Sequence, residues 1–241
     1  MKILVITPTY NELENLARHC EQLLKHNPQV HVLIVDDNSP DGTGQLADSL
    51  ATKDERISVL HRAEKQGLGP AYLAGFEWAH ARDFDYVVEM DGDGSHRAQD
   101  LAKLLAVAEG NDLVIGSRWV SGGRVVNWPV HRRLISRVGT AYANLWLGAH
   151  IRDITAGFRV YRTSFLNQLD LSTIASHGYS FQVEMAWRSR LANARIIEVP
   201  ITFVERETGR SKMSSTIVVE ALWLITKWGF VRLLGRTPLK N

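Results

Sequence analysis

"VVEMDGDGSH", Val87 to His96, runs from an apolar strand, interrupted only by Glu89, into two aspartates, Asp91 and Asp93, each followed by glycine. A predominantly apolar run is what a strand covered on both faces requires, and such strands belong to parallel sheets packed between helices. The same pattern recurs along the first half of the chain. "KILVI", "VHVLIV", "ISVL" and "DLVIG" are further strand-length runs, and the stretches after the first four strands have helical period: Glu12 to Lys25, Asp41 to Ala51, Gly67 to Ala81 and Ala98 to Ala108. Strand and helix in alternation predict right-handed βαβ units and an open, mostly parallel α/β sheet with helices on both faces.

Ligands of such sheets bind beyond the carboxyl ends of the strands, near the point where strand order reverses. The segments in that place are "TPTYNE", "DDNSPDG", "DGDGSH" and "GSRW". The second half is less regular, with helices expected at Val130 to Leu147 and Tyr179 to Leu191, and short strands at Ile196 to Val199 and Ile201 to Val204. An amphipathic helix is expected over Ser214 to Arg236, its apolar side carrying Leu222, Leu224, Trp228, Phe230 and Leu233. The expected organisation is one catalytic-sized domain over residues 1–213 and a C-terminal helical segment over 214–241.

The bulk composition narrows the classes. The 241 residues are 45% hydrophobic and 22% charged, which fits a globular domain and excludes disorder, collagen and coiled coil. Twenty-eight Lys and Arg against 26 Asp and Glu leave a net charge of +2, too balanced for a protein built around a nucleic-acid backbone. Cys20 is the single cysteine, so no intrachain disulfide and no thiolate metal site can form, and a reducing cytoplasm is the expected compartment. The N-terminal run reaches Pro8 without a signal-peptide cleavage site. No window offers the twenty or so apolar residues of a membrane span; the C-terminal helix is interrupted by Glu220, Lys227 and Arg232.

Two carboxylates so close repel by a few kcal/mol at an effective dielectric near 20, and a cation or a proton compensates. Hard oxygen ligands suit Mg²⁺ or Mn²⁺ completed by substrate phosphates. A plain Asp-Gly turn is the other reading of the same residues. A calcium loop is excluded, because its sixth and twelfth positions would be His96 and Ala102. Neither the dinucleotide fingerprint nor a P-loop occurs: "GLGPAY" has Tyr72 where a third glycine is needed. Glu184, within a helical pattern, reads either as an acid near the sugar or as an ordinary paired acid.

Taken together, "TPTYNE", "VDDNSPDGT", "MDGDGSH", "GSRW", "HRRLISR", "DITAGFRVYR" and "FVERETGRSKM" resemble, in order and spacing, the family-2 glycosyltransferases, and more narrowly the bacterial type of polyprenol-phosphate (dolichol-phosphate) mannosyl synthase. The resemblance runs from Lys2 to Met213. It implies a GT-A fold and an inverting transfer of mannose from GDP-mannose to polyprenyl phosphate, with Mg²⁺ or Mn²⁺. It places Pro8, Tyr10, Glu12, Val35 and Asp37 at the nucleoside, Asp91, Gly92 and Asp93 at the metal and sugar diphosphate, and Arg206 and Lys212 over the diphosphate. It places Arg118, Arg132 and Ser136 at the acceptor phosphate. Ser95 stands where eukaryotic relatives carry a further Gln ligand. Asp153 and Arg159 match a further motif, with a structural role expected, and Arg133 and Arg137 are left for lipid headgroups or solvent. The C-terminal helix, with Trp and basic residues beside aliphatics, reads either as a membrane-interface helix or as one packed on the domain or on a membrane-embedded partner protein, and the lipid acceptor puts the expected work at the cytosolic face of the membrane. A same-family transferase using UDP-glucose and a non-catalytic nucleotide-sugar-binding subunit are the alternatives.

Overall fold

The computed structural model describes residues 1–174, 176, 178–205 and 215–235. In chain order the elements are β1 (Ile3–Thr9), α1 (Leu13–His26), β2 (Val30–Asp36), α2 (Thr43–Lys53), β3 (Ile57–His61), α3 (Leu68–His80), β4 (Tyr86–Glu89), α4 (Ala98–Leu105) and β5 (Leu113–Ser117). There follow β6 (Arg124–Val126), α5 (Val130–Leu147), β7 (Arg159–Arg162), α6 (Thr163–Leu166), a 3-10 turn (Leu171–Thr173), α7 (Tyr179–Leu191), β8 (Ile196–Pro200), β9 (Thr202–Val204) and α8 (Ser215–Leu233).

Seven strands form one sheet in the order β3-β2-β1-β4-β7-β5-β8. Every neighbouring pair is parallel except those made by β7, which runs antiparallel between β4 and β5. Side chains alternate across β1 with the two-residue period of a strand. Leu4 and Ile6 enter a core beneath α3, α5 and α7 that includes Phe76, Phe181 and Trp187, while Ile3 and Val5 enter one beneath α1 and α4 with Leu16, Leu23 and Leu101. Cys20 is buried in the second core, and burial pushes its thiol up to about 12.

The chain builds outward from β1 to β2 and β3, then returns to the other side of β1 with β4. That reversal is the switch point, and it sets the acidic end of β4 beside the end of β1, with Ile6 opposite Glu89. Gly92 permits the contact: a Cβ there would lie 2.9 Å from Thr7 Cγ2, so glycine lets the acidic turn rest on β1. A small parallel sheet, β6 with β9, covers the same turn, and an isolated bridge joins His96 to Phe203.

The C-terminal helix is not an appendage. Tyr142 of α5 meets Thr226 of α8 at 2.6 Å between hydroxyls, Trp146 lies against Phe230 with centroids 5.1 Å apart, and Trp187 of α7 stacks on Trp228 at 5.7 Å. Trp228 therefore faces inward with buried Ile225, whereas Leu222, Trp223, Phe230 and Leu233 are exposed. Among the described residues no helix is long and apolar enough to cross a membrane.

Candidate active site

At the β1 and β2 ends the family-implied nucleoside residues meet. Pro8 is opposite Val35 in the parallel register, and the Asp37 backbone N–H donates to the Thr9 carbonyl at 3.1 Å. The Val35 side chain is fully buried in the core, so this position offers a ligand only its backbone. Asp37 Oδ1 accepts from Arg62 Nη1 at 2.6 Å, yet burial outweighs that guanidinium and raises the Asp37 pKa above its ordinary value. The Lys65 ammonium sits over the Tyr10 ring, 4.0 Å from its centroid. Glu12 precedes α1, with its N–H donating to Thr43 Oγ1 at 3.0 Å and its Oε2 accepting from Asn15 Nδ2 at 3.0 Å. Arg62 and Lys65 come from "HRAEKQG" after β3, a basic loop at the ligand edge whose position is visible only once β3 is placed beside β2.

Asp91 and Asp93 follow β4 at the same edge. Asp91 Oδ1 accepts from the Tyr72 hydroxyl at 3.4 Å; burial and the Asp91 charge hold that phenol well above its usual pKa. Asp93 Oδ1 accepts from the Ser95 N–H at 3.0 Å. His96 closes the turn by accepting the Asp91 N–H on Nδ1 at 3.2 Å, with its ring stacked on Phe158 at 5.0 Å. Burial pushes the His96 pKa down to about 4, so the ring is neutral near pH 7 and its 3.9 Å approach to Asp91 Oδ2 is no ion pair there. Among the described residues no group of three or more His, Cys, Asp and Glu gathers as a metal cage. What the turn does supply is two carboxylates on a sheet edge, the donor set of a hard cation shared with phosphate oxygens.

Beyond the acids lies a cavity of about 190 Å³ lined by Asp91, Asp93, Arg118, Arg132 and Ser136, and also by Trp128, Gln182, Phe203 and Glu205. Asp153 holds Arg118 in a bidentate fork: Nε donates to Oδ2 at 2.7 Å and Nη2 to Oδ1 at 2.6 Å, while the Arg118 N–H donates to the same carboxylate at 2.8 Å. Nη2 also donates to Thr155 Oγ1 at 2.9 Å. The Trp128 ring lies between the guanidinium carbons of Arg118 (5.2 Å) and Arg132 (4.5 Å), setting two like charges on one aromatic. Arg132 Nη1 donates to both oxygens of Glu205, at 2.5 and 2.6 Å. Ser136 Oγ, one turn further along α5, is buried without a hydrogen-bond partner among the described residues.

Glu184 is a paired acid rather than a free one: it accepts from Arg188 Nε at 2.8 Å and from Ser176 Oγ at 2.5 Å, and is buried. Arg159 ties the preceding loop together, donating to the Ala156 and Ile154 carbonyls at 2.8 Å each. Arg133 is exposed, and the exposed Arg137 has its guanidinium 5.2 Å from the Trp119 centroid. Arg206 and Lys212 lie outside the described residues.

The profile of the "Glycosyl transferase family 2" family matches residues 4–170. This chain belongs to that family. An undecaprenyl-phosphate mannosyltransferase of Micrococcus luteus is 52% identical to this family-2 transferase over 229 residues, covering 95% of this chain and 94% of the relative. A polyprenol monophosphomannose synthase of Mycolicibacterium smegmatis is 50% identical over 237 residues, covering 98% and 89% respectively. Among solved structures, the mannosyltransferase PcManGT of Pyrobaculum calidifontis, in complex with GDP-Man and Mn²⁺, superposes with a TM-score of 0.62 at 15% identity, over 99% of this chain and 66% of that one. The likeness is one of fold, and it places the family-2 transferase among proteins with the expected sheet. Trp128, Glu205 and Gln182 were not visible as site residues in the sequence, because each reaches the cavity from an element whose place depends on long-range packing.

Proposed function

We propose that this family-2 transferase moves mannose from GDP-mannose to the phosphate of a polyprenyl phosphate, with inversion at the anomeric carbon and with Mg²⁺ or Mn²⁺. The observation that carries the reading is the single cavity into which the acidic edge, Asp91 and Asp93, and the cationic wall, Arg118 and Arg132, both open. An anionic donor and an anionic acceptor brought together need this division of charge. The printed names of the two bacterial relatives support the sugar and the lipid, and the complex of PcManGT with GDP-Man and Mn²⁺ supports the donor class and the metal.

In this mechanism Pro8, Tyr10, Glu12, the Val35 backbone and Asp37 hold the nucleoside, with Lys65 and Arg62 supplying positive charge beside it. Asp91 and Asp93 are the groups that would hold the divalent ion, whose contribution is to neutralise the diphosphate as it leaves; Gly92 keeps the turn tight against β1. Ser95 is proposed as a further ligand to the same ion. Arg118, Arg132 and Ser136 orient the acceptor phosphate, and Arg206 and Lys212 are assigned to the leaving diphosphate. A phosphate monoester has its second pKa near 6, so its oxyanion is the nucleophile without a general base. Consistent with that, Glu184 is already committed to Arg188.

The acceptor is a lipid, and α5 and α8, which line the phosphate cavity through Ile135, Ala221, Leu222 and Ile225, also carry exposed Val130, Leu134, Val138, Trp223 and Phe230. The reading therefore includes peripheral docking of this helix pair on the cytosolic face of a membrane, directly or on a membrane-embedded partner. Purified protein with Mg²⁺ or Mn²⁺, radiolabelled GDP-mannose and polyprenyl phosphate is expected to yield labelled lipid, and Asp93→Ala to lose nearly all of it. Transfer from UDP-glucose in place of GDP-mannose would reassign the donor, and no transfer with any sugar nucleotide would sink the reading.

A further inference from the structure

Glu205 lines the cavity proposed for the acceptor phosphate and pairs there with Arg132. Both of its carboxylate oxygens receive the Arg132 Nη1 donor, at 2.5 and 2.6 Å, and the side chains of the pair are about one-quarter and one-sixth exposed. Its backbone is fixed independently, with the Glu205 N–H donating to the Val126 carbonyl at 3.1 Å. The carboxylate can thus leave Arg132 by side-chain rotation alone. It has somewhere to go: Glu205 also lines a second cavity, of about 350 Å³, together with Arg18 and Arg97 and with the acids Glu14 and Asp93.

We infer that Glu205 is a built-in competitor for Arg132, a carboxylate that the entering phosphate must displace. The inference rests on the acceptor-phosphate reading above. In the transfer, the bond between mannose C1 and the leaving diphosphate oxygen breaks with its electron pair going to the diphosphate, and a new bond forms between C1 and an acceptor phosphate oxygen. The acceptor enters as a monoester carrying close to two negative charges near neutral pH, and leaves as a diester carrying one. A dianion with three terminal oxygens displaces a carboxylate from a guanidinium; a monoanion with two terminal oxygens is matched by it. Glu205 yields to the entering phosphate and returns when the esterified phosphate leaves; it weakens acceptor and product by the same factor, which leaves the dianion bound and brings the monoanion near parity with the carboxylate.

The test compares two constants in wild type and Glu205→Gln: KM for polyprenyl phosphate and the inhibition constant for added polyprenyl-phosphate mannose. Removing the competing charge is expected to lower both constants together, by roughly three- to tenfold. Unchanged constants, or a rise in both, would mean that Glu205 only holds Arg132 in place, and would overturn the inference. Glu205→Ser removes the same charge with a smaller side chain and decides the matter if the Gln variant fails to fold by its thermal transition. Wild-type transfer is the control: if wild type makes no mannolipid the acceptor reading fails, whereas transfer with unmoved constants defeats the role of Glu205 alone.

Discussion

Glu89 is the acid that the mechanism leaves aside. It ends β4, fully buried, directly opposite Arg159 across the antiparallel β4–β7 pair, with the Gln182 side chain as its hydrogen-bonding neighbour and no close, well-aligned bond to either carboxylate oxygen among the described residues. Arg159 gives its own donors to two backbone carbonyls and the Tyr161 hydroxyl. Burial therefore dominates and raises the Glu89 pKa to about 7, against the opposing pull of Arg159 and Gln182. The sign follows from linkage. A carboxyl that binds its proton more tightly folded than unfolded contributes stability that is full below its unfolded pKa of about 4.5 and is lost as pH rises through about 7. Glu89→Gln keeps the neutral shape, so it is expected to match wild type near pH 4.5 and to exceed it at pH 8 by roughly 3 kcal/mol. Urea unfolding of both proteins at the two pH values measures this, and an identical pH slope would refute it. The sequence marks Asp91 and Asp93 because paired acids after an apolar run are costly without a reason. It does not mark Glu89, because "VVEM" reads as strand whether that side chain faces an arginine or a leucine, and the arginine arrives from β7.

At the scale of elements, periodicity located α5 and α7 to the residue and the other helices except α6 to within about three, because their apolar spacing and flanking turns agree with one another; α6, only four residues long, was not expected. β7 was not legible: "RVYR" is four residues with a charge at each end, and its insertion between β4 and β5 supplies the one antiparallel strand of the expected mostly parallel sheet. The C-terminal helix was legible as a helix but not as a two-sided one. Its inward side depends on Gly229, where a Cβ would lie 2.6 Å from Trp146 Cε3 and 2.9 Å from Trp146 Cβ. Trp146 has little room to yield, since it also packs on Phe230 and Tyr142. Gly229→Ala is expected to part α8 from α5 at a cost of about 1–3 kcal/mol, the range of overpacking in a close contact. Because Ala221, Leu222 and Ile225 line the acceptor cavity, the expected consequence is a raised KM for polyprenyl phosphate with KM for GDP-mannose unchanged, read alongside a lower melting temperature. Equal changes in both constants would place the effect in the whole fold instead.

The whole molecule divides its labour by edge and face. The sheet brings the acids and the residues proposed for the nucleoside to one carboxyl edge by topology alone, which is why their shared edge could be read from strand ends. The proposed acceptor side is assembled from α5, the β6–β9 sheet and α8, elements that reach it only through tertiary packing. The exposed apolar side chains on the two helices are Val130, Leu134, Ile135, Val138 and Leu145 on α5 and Val219, Leu222, Trp223, Phe230 and Leu233 on α8. A surface of that extent beside a site for a lipid phosphate needs a cover, and exposed Arg133 and Lys227 add cations that anionic headgroups attract at about 1 kcal/mol each. The helix pair is therefore expected to bind vesicles containing phosphatidylglycerol and to release them at high salt in sedimentation assays. Leu134→Glu combined with Val138→Glu puts two carboxylates on the exposed stripe without entering the cavity, and should weaken vesicle binding at least tenfold while turnover of a short, water-soluble prenyl phosphate stays near wild type. Binding that survives the double substitution would move the lipid contact off α5. No binding by wild type, with full turnover of the short acceptor, would instead assign the apolar face to a membrane-embedded protein, because the phosphate cavity would then be competent and only its approach to the bilayer would be missing.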